Sequence, residues 1–204
     1  MRMLRPRLIS FWLTLAITLI AAPAAHAHLM NTGLGPFGDG LTHLLVAPED
    51  LLPVIALSLW AGLRGPVFGR AVLFALPVAW LIGSAAGILL APPSTLPVAE
   101  TVLTIALGVL LATNRPLPLT WIAGLAVLLG LLHGVLNSSE IPQASSGQIS
   151  AAGVVVALFA AVSLLAGQAA SMRLPWARVA VRITGSWIAA IGLLMLGWAM
   201  RVPG

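Results

Sequence analysis

Six times between about residue 43 and residue 200 this chain offers an apolar run long enough to cross a bilayer. Each run is about 17–25 residues, and a helix of that length covers roughly 30 Å of hydrocarbon. The runs fall at approximately 43–63, 67–91, 97–113, 117–137, 148–171 and 179–200, the first of them irregular. Composition agrees: 60% of residues are hydrophobic and 7% charged, with a mean hydropathy of +1.07. A soluble domain of 204 residues could hardly tolerate that balance. The expected fold class is all-α, a polytopic integral membrane helix bundle of about six transmembrane helices. One membrane domain, residues 28–204, is expected to follow a cleaved leader.

The N-terminus carries the leader pattern. Arg2, Arg5 and Arg7 form a positive n-region, Leu8 to Ala22 an apolar h-region, and Ala25-His26-Ala27 a small-x-small cleavage site. Residues 1–27 read as a signal peptide, the alternative being an uncleaved first helix. Cleavage makes His28 the mature N-terminus. Beyond the leader, Arg64, Arg70, Arg115, Arg173, Arg178 and Arg182 fall in three connections that read as cytoplasmic, and only Arg201 dissents. All five carboxylates, Asp39, Glu49, Asp50, Glu100 and Glu140, fall at or near the opposite face. The expected location is a bacterial inner membrane with both mature termini external. The net charge of +5 is thus a topology signal. No aromatic-interleaved basic patch points to nucleic acid, and without cysteine there is no disulfide or thiolate site.

Small residues predict how the helices approach one another. Gly83-Ser84-Ala85-Ala86-Gly87, Gly124 with Gly130 and Gly134, Gly185 with Ser186, and Gly192 with Gly197 suit close backbone packing. Trp60, Trp80, Trp121, Trp176, Trp187 and Trp198 suit helix ends or packing positions. No Gly-rich phosphate loop, ATP-binding motif or Ser/His/Asp arrangement stands out, so no enzymatic activity and no organic cofactor are expected.

Chemistry concentrates in three places. The first is Asp39-Gly40-Leu41-Thr42-His43 through Pro48-Glu49-Asp50. A short helix over 39–47 puts Asp39 and His43 on one face. Pro48 suits the first turn of a new helix, with Glu49 and Asp50 at its positive end. A broken entry helix follows, and broken helices at membrane depth line cavities or sites. The plainer reading makes Glu49 and Asp50 helix-start residues in the headgroups. The second place is Glu100, near the outer end of an otherwise uncharged helix. A carboxylate one turn inside the apolar layer costs about 2–3 kcal/mol unless paired. Its plainer reading is a glutamate reaching up to the interface. The third is His133, Asn137 and Glu140, at i, i+4 and i+7 on one helix face. A lone membrane histidine is more often structural, whereas one aligned with an amide and a carboxylate is an even match for a ligand.

These segments carry a family resemblance. Gly40-Leu41-Thr42-His43-Leu44-Leu45, Leu57-Ser58-Leu59-Trp60-Ala61-Gly62, Val98-Ala99-Glu100, His133-Gly134 with Glu140, and Ala151-Ala152-Gly153 occur in this order. Together with the leader they resemble the HupE/UreJ family of small membrane proteins, linked to hydrogenase and urease systems and regarded as nickel or cobalt permeases. The family pattern at the first place is His-Pro-x-x-Gly-x-Asp-His. Here His43 matches its final His, Pro36 stands for the leading His and Thr42 for the Asp. The pattern at the third is His-Gly-x-x-His-Gly-x-Glu. His133, Gly134 and Glu140 match it, while Asn137 replaces the second His. Glu100 corresponds to the family's helix-start glutamate.

A His/carboxylate set without thiolates suits a borderline divalent cation such as Ni²⁺, Co²⁺ or Zn²⁺. His43, Glu100, His133 and Glu140 are the four expected ligands, with Asp39 or Asp50 joining. His28 could chelate through its amine and imidazole, capturing ions at the mature terminus. Protonation of histidine in mildly acid solution would release metal and offers a route to proton coupling. The expected function is a secondary permease for a divalent transition metal, with the lipid bilayer and the ion as its partners. The thin bundle is compatible with a homo-oligomer. The rival is a non-transporting scaffold or assembly factor for a metalloenzyme or periplasmic partner. A membrane metalloprotease fits less well, because His-Glu-x-x-His is missing.

Overall fold

The computed structural model describes residues 33–89, 95–140 and 146–201. The leader expected at 1–27 and His28 lie outside the described residues, as do the side chains of Ser139, Glu140 and Ser146. The described chain is all-helical, with seven helices: α1 Gly35–Val46, α2 Pro48–Arg64, α3 Pro66–Leu89, α4 Leu96–Thr113, α5 Leu119–Glu140, α6 Ser146–Ser171 and α7 Pro175–Ala199. Five of these, α3 to α7, are long and apolar enough to cross a membrane, and α1 with α2 makes a sixth candidate span, broken and bent by 70°. The protein is an integral membrane helix bundle.

Prolines set several of the starts. α1, α2, α4 and α7 each have proline in the first two positions, where the missing N–H costs nothing and φ is already helical. The last helix begins at Pro175 rather than near 179, so Arg178 and Arg182 lie in its first two turns. The break between α1 and α2 is a single residue. Ala47 takes an extended conformation (φ −98°, ψ 93°), while its N–H still closes on the His43 carbonyl. Between α2 and α3 the chain turns through Gly65 at φ +119°, a value L side chains rarely adopt.

The helices pair and share a hub. α3 packs chiefly on α5, α4 on α7, and α1 on α6, while α2 touches every other helix. Along α2 nearly everything from Val54 to Leu63 is buried, with Leu57 and Trp60 fully so. Around it Leu76, Trp80, Leu107, Leu111, Ile122, Leu129 and Leu158 complete the core. Phe74 of α3 meets Phe159 of α6 edge-on, ring centroids 6.2 Å apart. The apolar side chains that point outward, such as Ile82, Leu164, Trp187 and Leu194, are those a lipid surround requires.

Glycines decide how closely the pairs approach. Gly83 lies against the Leu131 backbone, and Gly130 and Gly134 lie against the backbones of Leu76, Trp80 and Ser84. Gly108 and Gly185 face one another's helices across α4 and α7. Without a hydrophobic drive between helices in lipid, such approaches supply the van der Waals contact that holds them. Gly124 and Gly197 instead have open space where a side chain would go. A methyl at Gly130 would sit 2.8 Å from the Trp80 nitrogen and 2.7 Å from the Ala79 Cβ. Gly130→Ala should therefore destabilise the protein by about 1–3 kcal/mol through overpacking. Gly124→Ala should be neutral or stabilising by up to about 1 kcal/mol, from helix propensity alone. Thermal unfolding of the two variants in detergent checks the contrast, and equal effects would refute it.

Candidate metal centre

The bend at Ala47 brings Asp50 into the bundle. Asp50 occupies the first turn of α2, yet the helix start has no side-chain cap and Asp50 is 1% exposed. Its carboxylate is occupied by other helices. Oδ1 lies 2.7 Å from His133 Nδ1, and Asn137 donates through Nδ2 to Oδ2 at 2.8 Å. His43 reaches the same Oδ2 from α1, its Nε2 3.2 Å away. The helix-start reading of Asp50 thus gives way to a buried carboxylate with three side-chain contacts. Glu49 beside it is half-buried.

His133 sits at the other side of the carboxylate, fully buried on α5. Its Nδ1 also lies 3.3 Å from Glu100 Oε1, so one nitrogen faces two acids. With a hydrogen on Nδ1 the ring donates to these acids, and a cation held at this point would take the Nδ1 lone pair in place of that proton. The remaining nitrogen, Nε2, is buried without a hydrogen-bond partner, and the ring lies over Trp80, centroids 5.3 Å apart and tilted by 31°. Ligand atoms of Asp50, Glu100 and His133 all lie within 4.8 Å of one another. No other group of three or more such residues occurs among the described residues.

Glu100 is held on α4 near its start, and the turn around it is tightened by hydroxyls. Thr104 Oγ1 donates to the Glu100 carbonyl at 3.1 Å, and Thr101 Oγ1 to that of Pro97 at 2.9 Å. Both threonines are buried, and bonding back to their own helix satisfies their hydroxyls without a partner from outside. Thr42 behaves the same way on α1, donating to the Gly38 and Asp39 carbonyls. Its hydroxyl therefore turns along α1. Asp39 stands half-buried on α1, one turn before His43. The group of three ligand-bearing residues includes neither Asp39 nor His43; His43 adjoins it through Asp50. Glu140 closes α5.

At the opposite end of the bundle the arginines finish the helices. Arg178 Nη2 donates to the Leu63 carbonyl at 3.4 Å, and Arg182 Nε to that of Ala112 at 2.8 Å. Cations thus meet the carbonyl ends of α2 and α4, where the helix dipoles are negative.

A model of the HupE / UreJ protein family matches residues 15–195 of the chain. The chain belongs to the HupE/UreJ family. Among curated proteins, Protein HupE of Rhizobium leguminosarum bv. viciae is 31% identical over 192 residues, which cover 90% of this chain and 96% of the relative. No solved structure matches. The site geometry accordingly comes from this chain's own residues, and the family segments converge in it: the His43 segment, Glu100 and the His133 block surround one carboxylate.

Asp50 is the residue whose place the sequence conveyed least. It lies 83 positions from His133, and its only local signal is the helix start that a capping residue would also give. The contacts make a definite demand on stability. Removing one member of a buried charged cluster leaves the others uncompensated, which costs about 3–5 kcal/mol. Asp50→Ala should destabilise by that amount and Asn137→Ala by less, about 1.5–3 kcal/mol for one bond to a charged group. Thermal unfolding of the detergent-solubilised variants measures both, and an Asp50→Ala variant as stable as the parent would contradict the cluster.

Proposed function

We propose that the chain is a secondary permease for a divalent transition-metal cation, nickel or cobalt by its family, with Asp50, Glu100 and His133 as the central ligands. One observation carries this reading: three helices deliver two carboxylates and an imidazole to one buried point. Two acids at membrane depth are costly to hold. A divalent cation is the ligand that two carboxylates and a neutral imidazole suit, and borderline metals accept such mixed oxygen and nitrogen donors. His43 and Asn137, both on the Asp50 carboxylate, orient it in the manner of outer-shell partners. Asp39, Glu49 and Thr42 flank the approach along α1 and the start of α2, and the sequence offers Glu140 and the mature His28 as capture groups.

In this reading the Asp50 end faces the periplasm of a bacterial inner membrane, and both mature termini are external. The arginine end is cytoplasmic, in keeping with positive-inside topology. Ions are captured outside and passed inward by rearrangement of the helices. The protein is a carrier with no enzymatic activity and no organic cofactor, and energy comes from ion gradients.

A second reading, a non-transporting scaffold for a metalloenzyme or periplasmic partner, draws on the inner half of the bundle. The ligand-type groups of the described residues gather at one end, while at the other Arg178 and Arg182 tie down the ends of α2 and α4. The two readings separate in proteoliposomes. A permease accumulates Ni²⁺ or Co²⁺, and Glu100→Gln and His133→Ala abolish accumulation while the protein still inserts. Uptake that survives both substitutions sinks the permease reading. Binding of metal without uptake by the parent chain, together with co-purification of a partner, selects the scaffold.

A further inference from the structure

Two glycines on different helices hold the short helix that carries His43. α1 joins α2 only through Ala47 and departs from it by 70°, so the hydrogen bonds of α2 do not orient it. Its outer side, with Phe37, Leu41 and Leu45, is exposed and gives no direction either. What orients α1 is α6, the helix on which it chiefly packs.

That contact is backbone against backbone. Gly40 of α1 lies on Ser150 of α6, where an added methyl would meet the Ser150 carbonyl oxygen and come within 2.7 Å of its carbon. Gly153 of α6 lies on α1 in return. A methyl there would meet the Phe37 carbonyl and sit 2.8 Å from the Leu41 nitrogen. Leu44, one turn past Gly40, is 1% exposed in the core. His43 follows from the same rotation and height of α1, and its Nε2 stands 3.2 Å from Asp50 Oδ2. The tolerance is small. Methyl contacts at these distances must relax to roughly 3.5–4 Å, while a polar contact stretched to about 3.6 Å is no longer a hydrogen bond.

We propose that Gly40 and Gly153 are positioning residues of the ion site: by letting α1 lie directly on the backbone of α6, they place His43 on the Asp50 carboxylate. The proposal rests on the reading of Asp50, Glu100 and His133 as that site. It gives a role to Ala151-Ala152-Gly153, a segment with no ligand-type side chain. It also explains the glycine three residues before His43 in Gly40-Leu41-Thr42-His43. The two segments are the two sides of one crossing.

The test uses the full chain in detergent with Co²⁺ as probe, followed by calorimetry and by the visible absorption of the bound ion. His43→Ala and Gly153→Ala should each weaken Co²⁺ binding about 10–100-fold, the range for loss of an outer-shell partner. The double variant should bind no worse than His43→Ala alone, and the bound-ion spectra of the two single variants should agree. Gly69→Ala is the packing control. Its methyl would stand 3.2 Å from the Ala166 Cβ, on α3 against α6, two helices that carry none of the three ligands, and its Co²⁺ affinity should match the parent's. Parent-like binding by Gly153→Ala, losses that multiply in the double variant, or an equal loss in Gly69→Ala would each overturn the proposal. A metal-free readout keeps it separate from the ion-site reading. The chain lacks cysteine, so Leu44→Cys introduces a single thiol, shielded in the parent and modified severalfold faster by a maleimide when Gly153→Ala is added. An unchanged modification rate would refute the positioning role. Failure of the parent chain to bind Co²⁺ would instead remove the ion site, and the thiol rate would still decide whether the glycines hold α1.

Discussion

The Asp50 carboxylate is the point on which this bundle is organised. It lies just past a break in the first span, and its two oxygens meet His133, Asn137 and His43. A carboxylate without partners could not stay 1% exposed, because burial of an uncompensated charge costs several kcal/mol. Its partners come from α5 and α1, and through His133 it is tied to Glu100 on α4. Four helices are thus committed to one another at one end of the molecule by a single polar cluster.

The rest of the bundle keeps that cluster in register. Among the described helices α2 alone contacts all the others, and Trp60 and Leu57 on it are fully buried. Gly62, further along the same helix, lies on the backbone of Ala166 in α6, so α6 holds α2 as well as α1. Gly130 and Gly134 bring α5 against α3, and the same approach seats the His133 ring over Trp80. Small residues therefore do more than tighten the packing. They set the heights at which the ligand-type side chains meet. At the far end Arg178 and Arg182 bond to the last carbonyls of α2 and α4, which holds α7 to the two helices that supply acids.

For a metal carrier the arrangement has a clear logic. On the permease reading proposed above, two acids and an imidazole drawn from α2, α4 and α5 would form an ion site only while those helices are in register. Relative movement of the helices then changes the affinity of the site, which is what release to the other side requires. His43 rides on α1, which the chain joins to α2 through the single break residue Ala47.

Much of this was legible in the residues alone. Apolar runs dictate helices across a bilayer, because lipid leaves the backbone no other partner. Pro48 announced a helix start, and the break at Ala47 followed from it. His133 and Asn137, one turn apart, had to share a face, and they do share Asp50. Family segments led to Glu100, His133 and His43. What no local pattern could express was the central place of Asp50, 83 residues from His133, because a first-turn acid looks the same whether it caps its helix or enters the core. Only the 70° bend and the packing of α2 against every other helix resolved that. Nor could sequence tell the crowded glycines from the open ones, Gly153 from Gly124. Sequence sets which side chains a helix presents, but the distance between helices is a property of the pair, and that distance decides whether His43 reaches an acid on another helix.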